Sequence, residues 1–273
     1  MMNANLPIGI FDSGVGGLTV LREIERRLPW EELLYLGDTA RLPYGTKSRE
    51  TVTRYSLQAA ASLVERGIKL LVVACNTASA AALEDLQARW PDLPVIGVVE
   101  PGARAACAAS PSGRIAVIAT ESAIAGGAYQ RAIGRINPLA RVSGQGCSLF
   151  VALAEEGWLD GPVVEAVAGR YLAPFLEPGE RPDCLVLGCT HFPLLEAPIR
   201  KIMGADTKIV DSAECAALDV ENTLAGMRAL RPETGKKGRA FFLTTDDPAR
   251  FARTGSLFLG RDLAEERVEL ISL

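Results

Sequence analysis

The chain reads as an α/β protein made of parallel sheets flanked by helices, and two observations carry that reading. Short runs rich in Val, Ile and Leu alternate with helix-patterned stretches along most of the chain, and the runs are continuously apolar. Strands covered on both faces must be apolar throughout, whereas a sheet with one wet face alternates. The second observation is a weak internal repeat. Leu71-Val-Val-Ala-Cys75-Asn76-Thr77 resembles Leu185-Val-Leu-Gly-Cys189-Thr190-His191, and Ile8-Gly-Ile-Phe-Asp12-Ser13 resembles Ile115-Ala-Val-Ile-Ala-Thr120-Glu-Ser122. Asp12 stands 63 residues before Cys75, and Thr120 stands 69 before Cys189. Two similar α/β halves explain why both matches occur in the same order.

Taken in order, Ile8–Phe11, Leu33–Leu36, Leu70–Ala74, Val95–Val99, Arg114–Ala119, Cys184–Leu187 and Lys208–Val210 predict buried strands. Ser48–Arg66 predicts a helix with Leu57, Ala60, Ala61 and Val64 on one face and Arg49, Glu50 and Arg54 toward water. Ala78–Arg89 and Val163–Phe175 carry similar apolar spacing. The expected organisation is a first domain of residues 1–98 plus 208–273 and a second of residues 99–207. The chain is expected to cross near Val99 and return near Lys208.

Composition narrows the function. In 273 residues, 48% are hydrophobic and 23% charged, the balance of an ordinary globular protein rather than a disordered one. The net charge of −4 and the single short basic run, Lys236-Lys237-Gly238-Arg239, leave no nucleic-acid footprint, and that run reads as a solvated loop. No apolar run is long enough for a membrane span, and Met1 to Pro7 lacks the basic and apolar regions of a secretion signal. Six cysteines without a C-x-x-C pair fit free thiols in a cytoplasmic protein. The one histidine, His191, excludes any site that needs two.

In open α/β sheets, ligands bind beyond the carboxyl ends of the strands, where helix N-termini offer unpaired N–H groups. Four predicted strands end in small or polar residues: Asp12-Ser13-Gly14-Val15-Gly16-Gly17, Cys75-Asn76-Thr77, Thr120-Glu121-Ser122 and Cys189-Thr190-His191. The glycine-rich segment fits neither the dinucleotide fingerprint nor a P-loop, so it reads either as a cradle for a small anion or as a tight turn. Cys75 and Cys189 sit where a helix N-terminus lowers a thiol's proton affinity, and each reads as a reactive thiol or as a buried structural one. The polar neighbours of both favour reactivity. Cys107 and Cys184 suit the structural role. Cys184-x4-Cys189-x-His191 is no usual zinc spacing, since the two cysteines bracket one strand. A Cys189–His191 hydrolase would leave Cys75 unexplained.

Together these segments resemble the glutamate racemase family of the cofactor-independent aspartate/glutamate racemase superfamily. The resemblance runs through Ile8-Gly-Ile-Phe-Asp-Ser-Gly-Val-Gly-Gly-Leu-Thr-Val20, Tyr35-Leu-Gly-Asp38, Leu42-Pro-Tyr-Gly45, Ala74-Cys-Asn-Thr-Ala-Ser79 and Gly146-Cys-Ser-Leu-Phe-Val151. It continues through Glu155-Glu156-Gly157, Gly188-Cys-Thr-His-Phe-Pro193, Asp211-Ser212 and Thr244-Thr-Asp-Asp247. It implies two α/β domains with the active site in the cleft between them, no pyridoxal phosphate or metal, and D- or L-glutamate as substrate. It implies D-glutamate supply for peptidoglycan. By the same resemblance Cys75 and Cys189 exchange the Cα proton, Asp12 assists Cys75, and His191 with Glu155 assists Cys189. Asp12, Ser13, Pro43, Tyr44, Gly45, Asn76, Thr77, Thr120, Thr190 and His191 match substrate-gripping positions. From the residues alone, Asp12 also reads as a helix N-cap and Tyr44 as a packing residue.

Two departures from the family pattern stand out. Ala123 occupies a position where a second threonine is usual, with Ser122 one residue out of register as its substitute. Ser148 replaces a usual proline, read here as structural. No nucleic acid or membrane partner is expected, and a homodimer is compatible with the sequence. Two other functions compete: an aspartate or broad-specificity racemase, and a catalytically silent amino-acid-binding protein of the same fold. Binding alone requires neither thiol, so the pairing of Cys75 and Cys189 with Asp12 and His191 speaks against the silent protein.

Overall fold

Strands buried on both faces need helices above and below them, and the chain supplies these between successive strands. The structure, a computed structural model, describes residues 3–233 and 235–273. Met1 and Met2, at the start of the segment read as lacking a secretion signal, lie outside the described residues. The strands are β1 (Ile8–Asp12), β2 (Leu33–Gly37), β3 (Leu70–Val73), β4 (Val95–Gly97), β5 (Arg114–Ala119), β6 (Arg141–Gly146), β7 (Cys184–Gly188), β8 (Lys208–Asp211), β9 (Ala240–Thr244) and β10 (Val268–Leu270). They form two all-parallel sheets, ordered β10-β9-β2-β1-β3-β4 and β6-β5-β7-β8. The orders β2-β1-β3-β4 and β6-β5-β7-β8 are the same arrangement. β1 and β5, and likewise β3 and β7, therefore occupy equivalent central places, as the internal repeat requires.

The helices are α1 (Leu18–Arg27), α2 (Arg49–Glu65), α3 (Asn76–Arg89), α4 (Val99–Ala109), α5 (Glu121–Ala125), α6 (Ala128–Ile136), α7 (Ser148–Glu155), α8 (Gly161–Leu172), α9 (Glu196–Met203), α10 (Ser212–Gly226) and α11 (Pro248–Leu259). Alternate strand residues feed opposite faces. Ile8, Ile10, Tyr35 and Val72 pack with α1, α10 and α11, while Phe11, Leu36, Leu71 and Val73 pack with α2 and α3. In the second sheet Ile118 and Leu187 meet α7, α8 and α9, and Val117 and Val186 meet α4 and α6. Full burial of each such side chain is worth about 1.5–3 kcal/mol.

Several expectations are corrected. The strand predicted over Val95–Val99 ends at Gly97, because Val99 begins α4. Pro101 sits in the first turn of that helix, where it loses no hydrogen bond, so the Val-Val-Glu-Pro run mimics extended chain without being one. On α2 the fully buried stripe is Val52, Ser56, Ala59, Ala60 and Leu63, so of the four predicted face residues only Ala60 is fully buried. Leu57, Ala61 and Val64 are half-buried, because α2 turns its deepest side toward both the sheet and α3. β6 was not predicted. It is an edge strand of polar and glycine residues, held by backbone pairing with β5. The C-terminal strands β9 and β10 extend the first sheet beyond β2.

The expected return to the first half at Lys208 is also corrected. Lys208–Asp211 pairs with β7 as the fourth strand of the second sheet, so the return follows Asp211 and is made by α10. The linker after α10 is anchored by an internal ion pair. Lys69 Nζ lies 2.6 Å from Glu31 Oε2, and both side chains are almost wholly buried. The same ammonium donates to the carbonyls of Ala4 (2.8 Å) and Ala229 (2.9 Å), and Glu31 Oε1 accepts the Arg231 N–H (2.8 Å).

Removing one member of a buried pair strands the other charge. Lys69→Met is expected to lower unfolding free energy by about 3–5 kcal/mol in urea denaturation, with partial recovery on adding Glu31→Gln. A loss below about 1 kcal/mol would show that this pair does not anchor the linker.

Candidate active site

The carboxyl ends of β1 and β3 face those of β5 and β7 across a cavity of about 260 Å³. Its wall includes Ser13, Pro43, Tyr44, Gly45, Cys75, Asn76, Thr77 and Thr120, with Ser148, Glu155, Cys189, Thr190 and His191. Twelve of the thirteen site residues predicted from the sequence thus share one wall. Asp12 does not reach it. It is fully buried behind Ser13 at the end of β1, where Oδ2 accepts the Gly14 N–H (2.9 Å) and Oδ1 has no hydrogen-bond partner. Nor is Asp12 a helix cap, since α1 begins after Gly17 without a side-chain cap.

Two turns bring the halves into contact. Gly16 lies so close to Thr190 Oγ1 and the His191 ring that a Cβ there would overlap both. Thr19 Oγ1 donates to Thr190 O (3.1 Å) from the first turn of α1. On the opposite wall Thr77 and Thr120 share a hydroxyl hydrogen bond (3.0 Å). The Asn76 amide is held from both sides, with Tyr129 OH donating to Oδ1 (2.8 Å) and Nδ2 donating to Ser212 Oγ (3.5 Å).

The two thiols have unlike surroundings. Cys75 is the N-cap of α3. Its Sγ accepts the Ala78 N–H (3.4 Å) and its S–H donates to Ser13 Oγ (3.6 Å). Burial, reinforced by the Asp12 charge, pushes its proton affinity up to about 12, so Cys75 rests as a thiol. Burial likewise raises Asp12, against the opposing pull of His191 and of the Gly14 and Gly17 N–H groups. Cys189 Sγ instead lies 3.8 Å from His191 Nδ1, and His191 Nε2 donates to Glu155 Oε1 (3.0 Å). Burial would lower His191, but its bonds and opposite charges at Cys189 and Glu155 outweigh that and take it up to about 10. Burial would raise Glu155, and the hydrogen bond to His191 overcomes it, holding the carboxyl below its usual range. One thiol therefore faces a buried carboxyl group whose proton affinity is raised, and the other an imidazolium.

Some placements were not legible in the sequence. Phe258 on α11 sets its ring edge-on to His191, 5.0 Å between centroids, from a remote segment with no motif of its own. Ser148, read as structural, lies on the cavity wall. Ala123 packs in an apolar cluster, and Ser122 carries a buried hydroxyl without a partner away from the cavity wall, so Ser122 does not replace a threonine there. Cys184 lies at the far end of β7 in a separate cluster from Cys189.

A cleft between two like α/β halves, with a thiol at each matching strand end, is the arrangement of racemases that work from both faces of a carbon. Comparison with known families agrees: the family model for Asp/Glu/hydantoin racemases matches residues 8–220, and the chain belongs to that family. It is 56% identical over 258 residues to a glutamate racemase of Geobacter metallireducens, covering 94% of each chain. The fold is similar to that of a glutamate racemase of Francisella tularensis solved in complex with D-glutamate, with a TM-score of 0.90, 37% identity and 98% of each chain covered. A glutamate racemase of Thermus thermophilus in complex with β-chloro-D-alanine gives a TM-score of 0.88 at 41% identity, over 99% of this chain and 98% of that one.

His191 is the sole histidine, so its ring resonances titrate without overlap. The imidazole is expected to stay protonated well above pH 7, and Glu155→Gln to lower the NMR midpoint by about one pH unit or more. His191 holds its proton more tightly folded than unfolded, where the midpoint is 6.5. Its contribution to stability is therefore fully present below about pH 6.5 and is lost as pH rises through about 10. A midpoint near 6.5 in the folded protein would refute this charge assignment.

Proposed function

We propose that the protein is a glutamate racemase, an isomerase that inverts Cα of free glutamate by proton transfer between two thiols, without pyridoxal phosphate or metal. The observation that carries this reading is the pair Cys75 and Cys189, at equivalent strand ends on one cavity wall and with chemically unlike helpers, a buried carboxyl and an imidazolium.

L-Glutamate meets Cys189 as thiolate, stabilised by the His191 imidazolium, and Cys75 as thiol. The thiolate takes the Cα proton, the Cα–H electron pair stays on carbon, and the Cys75 S–H delivers a proton to the opposite face. D-Glutamate leaves, with Cys75 now the thiolate and Cys189 the thiol. Nothing is oxidised or reduced. The reverse reaction starts from that second protonation state, in which Asp12, its own proton affinity raised, helps Cys75 lose its proton. Ser13, Pro43, Tyr44, Gly45, Asn76, Thr77, Thr120, Thr190 and His191 line the substrate's path. Asp12 acts from behind the wall and not as a direct ligand. The site lies between two domains, residues 3–98 with 212–273 and residues 99–211, whose contact shields the carbanion from water. The D-glutamate serves peptidoglycan synthesis in the cytoplasm, a small-molecule role that needs neither nucleic acid nor membrane. A homodimer is compatible with it.

Incubation of each enantiomer in deuterated water tests the reaction directly. Loss of optical activity with deuterium at Cα is expected for glutamate and not for aspartate; racemisation of aspartate alone would sink the glutamate assignment. Cys75→Ser and Cys189→Ser are each expected to abolish turnover, because a serine hydroxyl is far too weak a base at neutral pH. Cys107→Ala and Cys215→Ala, away from the cavity, should retain most of it.

The unlike helpers give a sharper expectation. Asp12→Asn is expected to slow deprotonation of D-glutamate more, and His191→Asn that of L-glutamate, by roughly 10²-fold or more. The enantiomers have equal free energy, so kcat/KM must fall equally in both directions for either variant. The asymmetry therefore appears in primary isotope effects with Cα-deuterated substrate, measured from each enantiomer. Identical changes for both variants in both directions would mean that the two residues do not serve separate thiols.

A further inference from the structure

Asp38 ends the Tyr35-Leu-Gly-Asp38 segment, is wholly buried, and does not line the cavity. Its carboxylate nevertheless gathers the loop that does. Oδ2 accepts from Tyr44 OH (2.5 Å) and from Arg41 Nε (2.7 Å), and Oδ1 accepts from Thr245 Oγ1 (3.0 Å). The Asp38 N–H donates to Asp12 O (3.0 Å), so the hub is bonded directly to the strand end behind Cys75. Thr245, contributed by the C-terminal segment, also accepts the Ala40 N–H (2.9 Å). The loop they hold is two short 3₁₀ turns, Thr39–Arg41 and Tyr44–Thr46, with few bonds of its own. Its tip abuts the second half so closely that a Cβ on Gly45 would overlap Thr120.

We propose that Asp38 is a positioning residue for substrate binding: through Tyr44, Arg41 and Thr245 it sets the Pro43–Tyr44–Gly45 wall against Thr120, and so fixes the fit of the amino acid in the cleft. The inference rests on the glutamate racemase reading above. Tyr44 is engaged through its hydroxyl with Asp38, so the ring forms the wall while the hydroxyl anchors it. Burial and the neighbouring carboxylate raise the phenol's proton affinity, which keeps it a donor across the working pH range. Arg41 supplies the compensating charge and lies over the Tyr55 ring at 4.3 Å, and Tyr55 in turn packs on Tyr44 with 5.8 Å between ring centroids. Because the hub touches neither thiol nor cavity, its loss should loosen binding and leave proton transfer largely intact. An interaction that misplaces a binding wall is felt as lost affinity.

The test is steady-state racemisation of L- and D-glutamate by wild type, Asp38→Asn, Tyr44→Phe and the double variant. Two further readouts are thermal unfolding and the glutamate concentration that half-protects the thiols from iodoacetamide. Each single variant is expected to raise KM about tenfold or more in both directions, with kcat within about threefold. Half-protection should move in parallel. The double variant should be no worse than the worse single, because both remove one shared interaction. Should Asp38→Asn fail to fold, Tyr44→Phe and Thr245→Val carry the same expectation for KM. Unchanged KM in folded variants of an active wild type, or a fall in kcat alone, overturns the inference and leaves the racemase reading standing. A wild type that racemises neither enantiomer overturns both.

Discussion

Gly16 packs without a side chain against Thr190 and the His191 ring, and the geometry of the site follows from that contact. Only glycine lets the turn after β1 approach the turn after β7 so closely. The Thr19 hydroxyl then bonds the Thr190 carbonyl across the same seam. With the two strand ends pressed together, Cys75 and Cys189 look into one cavity from opposite halves. A larger residue at Gly16 would displace His191 and move Cys189's partner with it.

The repeated strand order produces two geometrically equivalent thiols, and the residues behind them make the pair chemically unequal. Behind Cys75 the chain places a carboxylate with one unpartnered oxygen, deep in the first half. Behind Cys189 it places an imidazole that is hydrogen-bonded to Glu155 and edged by Phe258. Burial raises the proton affinity of Cys75, whereas at His191 burial opposes the charge and is outweighed by the hydrogen bonds and opposite charges at Cys189 and Glu155. A symmetric pair with like helpers would have no preferred resting protonation state. The asymmetry keeps Cys75 protonated and sets an imidazolium beside Cys189.

The C-terminal segment is more than an added edge to the first sheet. β9 ends at Thr244, which with Thr245 ties down the loop of residues 39–46, and α11 brings Phe258 to His191. The same stretch of chain therefore braces the surroundings of both thiols. The Lys69–Glu31 pair holds the linker through which the chain reaches this stretch after α10.

The sequence by itself determined the fold class, because continuously apolar strands separated by helices have few packings other than covered parallel sheets. It also determined the pairing of the two thiols, since the repeat carries Cys75 and Cys189 at matching places, and its resemblance to the glutamate racemase family marked twelve residues that share the cavity wall. Where strands are polar and held from one side, as in β6, no local pattern distinguishes them from loop. The return after Asp211 depended on β8 pairing with β7, a contact between segments about twenty residues apart that neither segment encodes alone. Tertiary structure alone decided that Asp12 lies behind the wall, that Ser148 lies on it, and that Asp38, Phe258 and Thr245 serve the site. Each of these acts through a partner distant in sequence, and burial, which sets the proton affinities, exists only once the two halves have closed on one another.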